Sequence, residues 1–275
     1  MKQFILETGP GKDGLVRLEG DAYRYLVRVR RLAPGEYFPA LLPDGAEVSV
    51  RVLSVDNKTL VGEIIPQTTE FPPPSSLASS ASSVPLRENI ASNFSLILFQ
   101  ALPKGDKMDL IVRQAAEGGV AEITPFVSEF SMVKINENQK LSRWRRIIKE
   151  ARQQSGSKVE TKICPPVSLD GLFSRWERIQ AAWPNSVGLL FHQTPLANES
   201  LHGYLGKSQG LSPEAVVVTI GPEGGFSPAE AERFMAAGFK PFTIGDTVLR
   251  TETAALYAQA AVRILLLERD SWETK

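Results

Sequence analysis

Residues 216–230 read VVVTIGPEGGFSPAE, and this stretch decides the fold of most of the chain. The apolar run Val216–Ile220 predicts a strand buried on both faces, as in a parallel sheet covered by helices. Three glycines follow within Gly221–Gly225, and Ser227 and Glu230 then have the spacing of a capping box at a helix start. The stretch therefore predicts a strand, a tight glycine loop and a helix, which is the repeating unit of an α/β fold.

The same alternation extends over the chain from Phe94 onward. Apolar runs predict further buried strands at 94–99 and 187–191. Helical patterns with glycine or capping signals at their ends lie at 106–117, 141–154, 228–237 and 251–267. This alternation predicts a doubly wound α/β domain over residues 94–275.

The first 70 residues follow a different pattern. Segments 14–18 and 46–53 alternate polar and apolar residues at period two, with turn dipeptides at Pro34-Gly35 and Asp44-Gly45. This predicts a small β barrel or sandwich over residues 1–70. A Pro-, Ser- and Ala-rich tract then predicts a linker over 71–93, so we expect two domains.

Composition excludes several classes of protein. The 275 residues include 31 Lys+Arg and 31 Asp+Glu, so the net charge is zero and a nucleic-acid partner must meet a local basic patch. The single cysteine, Cys164, cannot form an internal disulfide, and with two histidines it argues against a structural metal site. No apolar run is long enough to span a membrane, and Glu7 interrupts any signal-peptide core, so we expect a cytoplasmic protein without a membrane partner.

The loop Gly221–Gly225 is the first candidate site. Ligands of open α/β sheets bind beyond the carboxyl ends of the strands, and glycines there let the backbone approach a ligand closely. The loop matches neither a Walker motif nor a Gly-x-Gly-x-x-Gly motif. A ligand-binding wall and a purely structural tight turn are both open interpretations. His192, at the end of another predicted strand, is interpreted as a pocket-lining or structural residue before a general base.

A second strand-to-helix junction runs over 242–254 and places Arg250 and Glu252 at the start of the last helix. In the alternative interpretation Thr251 or Thr253 caps the helix, Glu252 interacts with the helix dipole and Arg250 is a surface charge. Two such junctions in one sheet favour a site, because we expect adjacent strand ends to direct both loops into one crevice.

Two basic surfaces could contact RNA phosphates. A helical pattern over 21–32 spaces Arg24, Arg28 and Arg31 at i, i+4 and i+7, so we expect the three guanidinium groups to share one face. Residues 134–162 contain nine Lys/Arg against three Glu, a net charge of +6. In that stretch Leu141, Trp144, Ile148 and Ala151 form an apolar stripe, which leaves Arg145, Lys149 and Arg152 together on another face; a solvated face is the alternative.

Several motifs in order resemble the RsmE family of ribosomal RNA uracil-N3 methyltransferases. They are LPKGDKMD at 102–109, QSG at 154–156, IGPEGGFS at 220–227 and LRTETA at 249–254. The segment YLVRVRRL at 25–32 is also similar to the opening domain of that family. The resemblance spans nearly the whole chain.

The resemblance implies a SPOUT-type α/β domain with a C-terminal trefoil knot, preceded by a PUA-like RNA-binding β barrel. It also implies a homodimer, and it implies S-adenosylmethionine as methyl donor, held by loops at 190–193, 221–225 and 244–253. The implied substrate is N3 of one uridine of 16S rRNA in the small ribosomal subunit. The implied cofactor-binding residues are Leu190, Phe191, His192, Gly221, Pro222, Glu223, Gly224, Gly225, Ile244, Gly245, Leu249, Thr251 and Thr253.

Chemistry at uracil N3 suggests roles for the second junction. N3 must lose its imide proton before attack, so a donor that stabilises the resulting anion is needed. Arg250 is our hypothesis for that donor, and Glu252 is either the base or a group that orients Arg250 or the cofactor. N3 lies on the base-pairing edge, so the target must be unpaired or swung out. The expected RNA-binding residues are Arg24, Arg28, Arg31, Arg145 and Lys149.

The chain departs from the family pattern at a few positions. Phe130 replaces an arginine, and Ser157 replaces the usual arginine after Gly156. Gln193 replaces an expected glutamate after His192, and Asp246-Thr247-Val248 replaces a more typical segment. We therefore expect RNA-facing arginines to have moved. Two other functions stay open. One is a SPOUT methyltransferase acting on a ribose 2′-OH or a guanine, and the other is a non-catalytic RNA-binding or assembly factor.

Overall fold

The computed structural model describes residues 4–11, 13–65, 94–131, 137–197, 199–206 and 212–268. The chain divides into two compact units, one of residues 1–88 with 152–158 and the other of 89–151 with 159–275. The linker predicted at 71–93 lies outside the described residues. Among those that are described, no helix is long and apolar enough to cross a membrane.

The N-terminal unit is built on a five-stranded sheet. Its strands are β1 (Phe4–Ile5), β2 (Leu15–Leu18), β3 (Tyr37–Leu41), β4 (Glu47–Val55) and β5 (Leu60–Ile65). They are ordered β1-β3-β4-β5-β2, and all neighbours are antiparallel except β1 and β3. Apolar residues of all five strands meet in one core, which includes Phe4, Val16, Phe38, Val50 and Leu60. The strands expected at 14–18 and 46–53 are thus present as β2 and β4.

The helix expected over 21–32 differs from an α-helix. One α-helical turn, α1 (Gly20–Tyr23), continues directly into a π-helix over Arg24–Val29. Arg31 lies beyond the end of this helix with a φ of 58°, the left-handed region. The expectation that three arginines share one α-helical face is therefore wrong, because the wider π-helical turn changes the angular spacing and Arg31 leaves the helix.

The C-terminal unit alternates strands and helices. Its strands are β6 (Ser95–Ala101), β7 (Glu122–Phe126), β8 (Lys162–Ile163), β9 (Ser186–Phe191), β10 (Ala215–Ile220) and β11 (Lys240–Phe242). Its helices are α2 (Lys107–Glu117), α3 (Glu137–Ser155), α4 (Leu169–Ala182), α5 (Leu201–Leu205), α6 (Pro228–Ala236) and α7 (Thr251–Glu268). The predicted strands and helices of this unit are all present. The sequence analysis did not predict β7, β8, α4 and α5.

All six strands are parallel and ordered β11-β9-β10-β6-β7-β8. Helices cover both faces: α2, α3, α5 and α7 contribute to one apolar cluster, and α4 and α6 contribute to the other. The predicted parallel α/β fold is confirmed. One detail of the expectation is wrong, because β10 and β11 are not adjacent and β9 lies between them.

Candidate functional site

A cavity of about 300 Å³ lies at the carboxyl ends of three neighbouring strands, β11, β9 and β10. Three loops enclose it, one after each strand, and we call it the three-loop cavity. Its lining residues are Lys107, Phe191, His192, Gln193, Ile220, Gly221, Pro222, Glu223, Gly225, Phe226, Thr243, Ile244, Thr247, Val248, Leu249, Arg250, Thr251 and Ala254. The carboxyl edge of a parallel sheet is the usual ligand-binding edge of this fold class. Both glycine-containing junctions therefore meet in one crevice even though β9 separates their strands.

The loop after β10 is a tight turn that the sequence specifies locally. The N–H of Gly225 donates to the carbonyl of Pro222 at 3.0 Å, and Gly225 has a φ of 72°. A Cβ at position 221 would lie 3.3 Å from the backbone of Gly225, so the turn closes on itself there. Ser227 and Glu230 form the predicted capping box, with side-chain to backbone distances of 3.3 and 3.0 Å.

The start of α7 is held by hydrogen bonds to residues that are distant in the sequence. The buried Thr251 hydroxyl donates to the carbonyl of Gly221 at 2.6 Å and accepts from the Gln100 amide at 3.1 Å. Thr251 therefore joins the last helix to the loop after β10 and to β6. The backbone carbonyl of Arg250 accepts the N–H of Ala254 at 2.8 Å, which closes the first turn of the helix.

The Arg250 side chain is exposed and lines the three-loop cavity. Among the described residues it forms no ion pair and no hydrogen bond of its own. Its guanidinium is therefore available to an anionic or carbonyl oxygen in the cavity.

A charged network lies beside Arg250. The Lys107 ammonium lies 2.7 Å from Glu223 Oε1 and 3.8 Å from Glu252 Oε2. The N–H of Lys104 donates to both oxygens of Glu223 at 3.1 and 3.3 Å. Partial burial opposes ionisation of Glu223, but the hydrogen bonds from Lys107 and Lys104 outweigh it and lower the pKa of that carboxyl.

Glu252 is placed differently from Glu223. Its side chain is 14% exposed, and its buried Oε2 accepts no hydrogen bond from any residue within the described ranges. Among the described residues, Lys107 is its counter-charge, at a distance longer than a hydrogen bond. A carboxylate in this setting has free acceptor capacity.

His192 begins the loop after β9. Its backbone N–H donates to the carbonyl of Phe242 at 2.9 Å, which fixes the loop to β11. Its Nδ1 lies 3.2 Å from the backbone nitrogen of Thr194 and 3.0 Å from the Thr194 hydroxyl. The ring is thus held by its own loop while it lines the cavity.

The structure gathers most of the expected cofactor residues, together with Arg250, around the three-loop cavity. Five expected residues lie outside its lining: Leu190, Gly224, Gly245, Glu252 and Thr253. Leu190 is fully buried in the apolar cluster on the α4 and α6 side, because side chains alternate along β9 and only Phe191 faces the loops. Gly245 has a φ of 67°, in the left-handed region, so it allows the backbone of the loop to turn.

Lys107 is the main residue that sequence reasoning missed. It opens α2 within the LPKGDKMD motif, the first helix after the strand β6 that neighbours β10. Its position after the carboxyl end of a central strand was a usable signal. Phe226, Thr243 and Ala254 also line the cavity from outside the expected loops.

The expected RNA-binding residues lie in both units. In the N-terminal unit Arg24 and Arg28 line a groove of about 580 Å³ together with Asn57 and Lys58, which we call the basic groove. Arg31 is exposed but does not line it.

On α3, the predicted stripe of Leu141, Trp144, Ile148 and Ala151 is buried in the core. Arg145 is exposed on the opposite side and Lys149 is half-buried. Across the residues that the structure describes, no cluster of His, Cys, Asp and Glu is placed to hold a metal.

Comparison with known proteins identifies the family. Residues 91–263 match the RNA methyltransferase domain family. The ribosomal RNA small subunit methyltransferase E of Synechocystis sp. is 31% identical over 255 residues, which cover 92% of this chain and 74% of that protein. The chain belongs to the RsmE family. The resemblance noted in the motifs is confirmed.

Two solved structures are similar to this chain. A putative methyltransferase from Legionella pneumophila, in complex with S-adenosylmethionine, is 27% identical with a TM-score of 0.71, over 95% of this chain and 96% of that one. The RsmE structure of Neisseria gonorrhoeae, also bound to S-adenosylmethionine, is 24% identical with a TM-score of 0.74, over 96% of this chain and 98% of that one. The latter shares the fold over both units.

Proposed function

We propose that this RsmE-family chain transfers a methyl group from S-adenosylmethionine to N3 of one uridine in the 16S rRNA of the small ribosomal subunit. The observation that carries the proposal is the three-loop cavity, with the guanidinium of Arg250 on its wall, which forms no ion pair with any described residue. The bound cofactor of the Legionella relative supports the choice of methyl donor. A ribosomal substrate also implies a cytoplasmic protein.

The cavity residues fit S-adenosylmethionine. A volume of about 300 Å³ is at the lower end of the usual range for ligand pockets, roughly 300–1,000 Å³. Ile244, Val248 and Leu249 offer an apolar wall for a flat ring, and the glycine turn at 221–225 leaves backbone groups open to a polar ligand. The carbonyl of Gly221 already bonds Thr251, so that contact holds the shape of the wall.

When bound, S-adenosylmethionine supplies an electrophilic methyl group on a sulfonium. The residues of the chain must then make uracil N3 nucleophilic. Arg250 donates to the uracil carbonyl oxygen on which negative charge builds as the N3 proton leaves, and this stabilises the anion. Glu252, which lies near the start of α7 just outside the cavity lining, accepts that proton through an intervening water.

Lys107 holds Glu252 in place. Its ammonium lies between Glu223 and Glu252, and the shorter contact to Glu223 anchors it to the glycine turn. Lys107 is therefore a positioning residue for Glu252.

Three further features belong to the proposal. The C-terminal segment forms a trefoil knot of the SPOUT type. The N-terminal unit is a PUA-like RNA-binding barrel, and the single core that its five strands share supports this.

The chain acts as a homodimer. Leu256, Tyr257 and Ile264 on α7 support this, because they are 38, 54 and 50% exposed and two of them are spaced at i, i+7 on one face.

RNA binds through phosphates at the basic groove and at Arg145 of α3. Arg24 lies 3.4 Å from Asp21, a weak exposed pair, and Arg28 forms no ion pair among the described residues. Replacing Arg28 with Ala should weaken RNA binding and reduce the slope of log affinity against log salt by about one. An unchanged slope would reject the groove as a phosphate-binding surface.

The decisive experiment is methylation of isolated small subunits with labelled S-adenosylmethionine, followed by nucleoside analysis. We expect one labelled 3-methyluridine per subunit. Label in a ribose 2′-OH or a guanine would favour the alternative SPOUT reaction. Calorimetry with S-adenosylmethionine separates the non-catalytic alternative, since an assembly factor without cofactor affinity would give no binding heat.

A further inference from the structure

Phe130 is an aromatic side chain exposed beside the three-loop cavity. It follows β7, so it lies at the same carboxyl edge of the sheet as the cavity loops. It is 43% exposed, whereas the neighbouring Phe126 and Phe226 are buried and stacked on each other at 6.3 Å. The core of the unit thus encloses its other phenylalanines near this edge and leaves Phe130 partly outside.

Phe130 is held firmly in this exposed position. The Glu230 carboxylate accepts the N–H of Glu129 at 2.9 Å and the hydroxyl of Ser128 at 3.3 Å. Ser131 closes the turn, since its N–H donates to the carbonyl of Ser128 at 2.9 Å. The loop is therefore fixed to the start of α6, and the exposed ring is oriented before any partner arrives.

The ring also abuts the glycine turn. A Cβ at position 224 would lie 2.9 Å from Cβ and 3.3 Å from Cγ of Phe130, so only glycine fits beside it. Gly224 is flanked by Glu223 and Gly225, which both line the three-loop cavity. Phe130 therefore lies at the rim of the three-loop cavity, where it contacts the glycine between these two lining residues.

We propose that Phe130 is a stacking platform for the RNA base next to the methylated uridine. This inference rests on the proposed function. An unpaired target must be separated from its stacked neighbours, and an exposed aromatic ring at the rim replaces the lost stacking of the adjacent base. Stacking on a ring tolerates any base, so Phe130 contributes affinity and placement of the strand more than sequence choice.

The size of the patch favours a base over a protein partner. In the described part of the loop, Val127 is the other large apolar side chain exposed with Phe130. A stable protein interface buries about 800 Å² on each partner, far more than these two side chains offer. A single base covers one ring face.

The test uses Phe130→Ala, Phe130→Leu and Phe130→Trp, with Val127→Ala as the matched control in the same loop. We expect Phe130→Ala and Phe130→Leu to raise KM for the small subunit about tenfold, because stacking on an aromatic ring is lost, with smaller changes in kcat. Phe130→Trp and Val127→Ala should stay within about twofold of the unsubstituted protein, by the same stacking argument. S-adenosylmethionine affinity should be unchanged in all four.

Wild-type behaviour of Phe130→Leu would overturn the proposal, since leucine keeps apolar bulk but no ring. A change in sedimentation of Phe130→Ala would also overturn it and assign the ring to contact between copies of the chain. Equilibrium binding of small-subunit RNA to the same variants is measured alongside. If the unsubstituted protein methylates nothing, the proposed function fails, while the order of RNA affinities still decides whether the ring stacks.

Discussion

The two strand-to-helix junctions of the three-loop cavity are stabilised in opposite ways. The β10–α6 junction closes on itself, with its turn and capping box made by residues within four positions of one another. The β11–α7 junction depends on Thr251, whose hydroxyl bonds Gly221, 30 residues away, and Gln100, 151 residues away. The turn and the cap of the first junction are local, although Glu223 and Glu230 also bind residues of other loops, whereas the start of α7 depends on contacts across the sheet. Substitutions at the two should therefore differ in kind as well as in size.

The largest effect is expected at Arg250, which the β11–α7 junction presents to the cavity. Arg250→Ala should lower single-turnover methyl transfer by about 100-fold or more, the usual cost of one lost donor to developing charge. Cofactor affinity measured by calorimetry should change little, since the guanidinium acts on the base. The methyl-transfer rate of Arg250→Lys, which keeps the charge but loses the planar guanidinium, should lie between the rates of Arg250→Ala and the unsubstituted protein. Near-normal turnover of the alanine variant would refute the role.

Thr251→Val breaks the long-range junction directly. It leaves the Gly221 carbonyl without its donor at a buried position, which should cost about 1–3 kcal/mol in the free energy of unfolding. S-adenosylmethionine affinity should fall as well, because Gly221 lines the cavity. Thr251→Ser keeps the hydroxyl and is the matched control. The contrast between the two junctions is contradicted if Thr251→Val loses stability but binds S-adenosylmethionine as before.

Ser227→Ala tests the local junction. Loss of the cap should cost about 1 kcal/mol in unfolding by denaturant, and Ser227→Thr should recover most of it. Cofactor affinity should stay close to that of the unsubstituted protein, since Gly225 and Pro222 keep their own turn bond. A cofactor loss as large as that of Thr251→Val would show that the two junctions are not independent.

The smallest effect concerns pH. Because the pKa of Glu223 is lowered in the folded protein, its ionised form stabilises the fold above the ordinary carboxyl pKa, and this contribution is lost as pH falls through the folded value. The difference in unfolding free energy between the unsubstituted protein and Glu223→Gln should be about 0.2–1 kcal/mol near pH 7 and should shrink on acidification. Urea unfolding from pH 7 to pH 3 measures it. A difference that grows at low pH would contradict the Lys107 pair.

Sequence reasoning succeeded where structure depends on close neighbours. The capping box of Ser227 and Glu230 and the buried stripe of α3 follow from spacings of three and four residues, and both are present. It failed at Arg24–Val29, where the core packing of Tyr23 and Leu26 accompanies a π-helix that no local propensity signals. It also missed Lys107, whose partner Glu223 is 116 residues away.

The sequence by itself determined the α/β class, part of the strands and helices of the C-terminal unit, and the family, because periodicity and ordered motifs depend on residues close together in the chain. Only the tertiary structure decided that β9 lies between the two glycine junctions, that Thr251 joins α7 to Gly221, and that Lys107 faces two carboxylates. These contacts depend on the order of strands across the sheet. The strand order depends on how all the helices pack on both faces of the sheet, so it cannot be read from any single segment of the sequence.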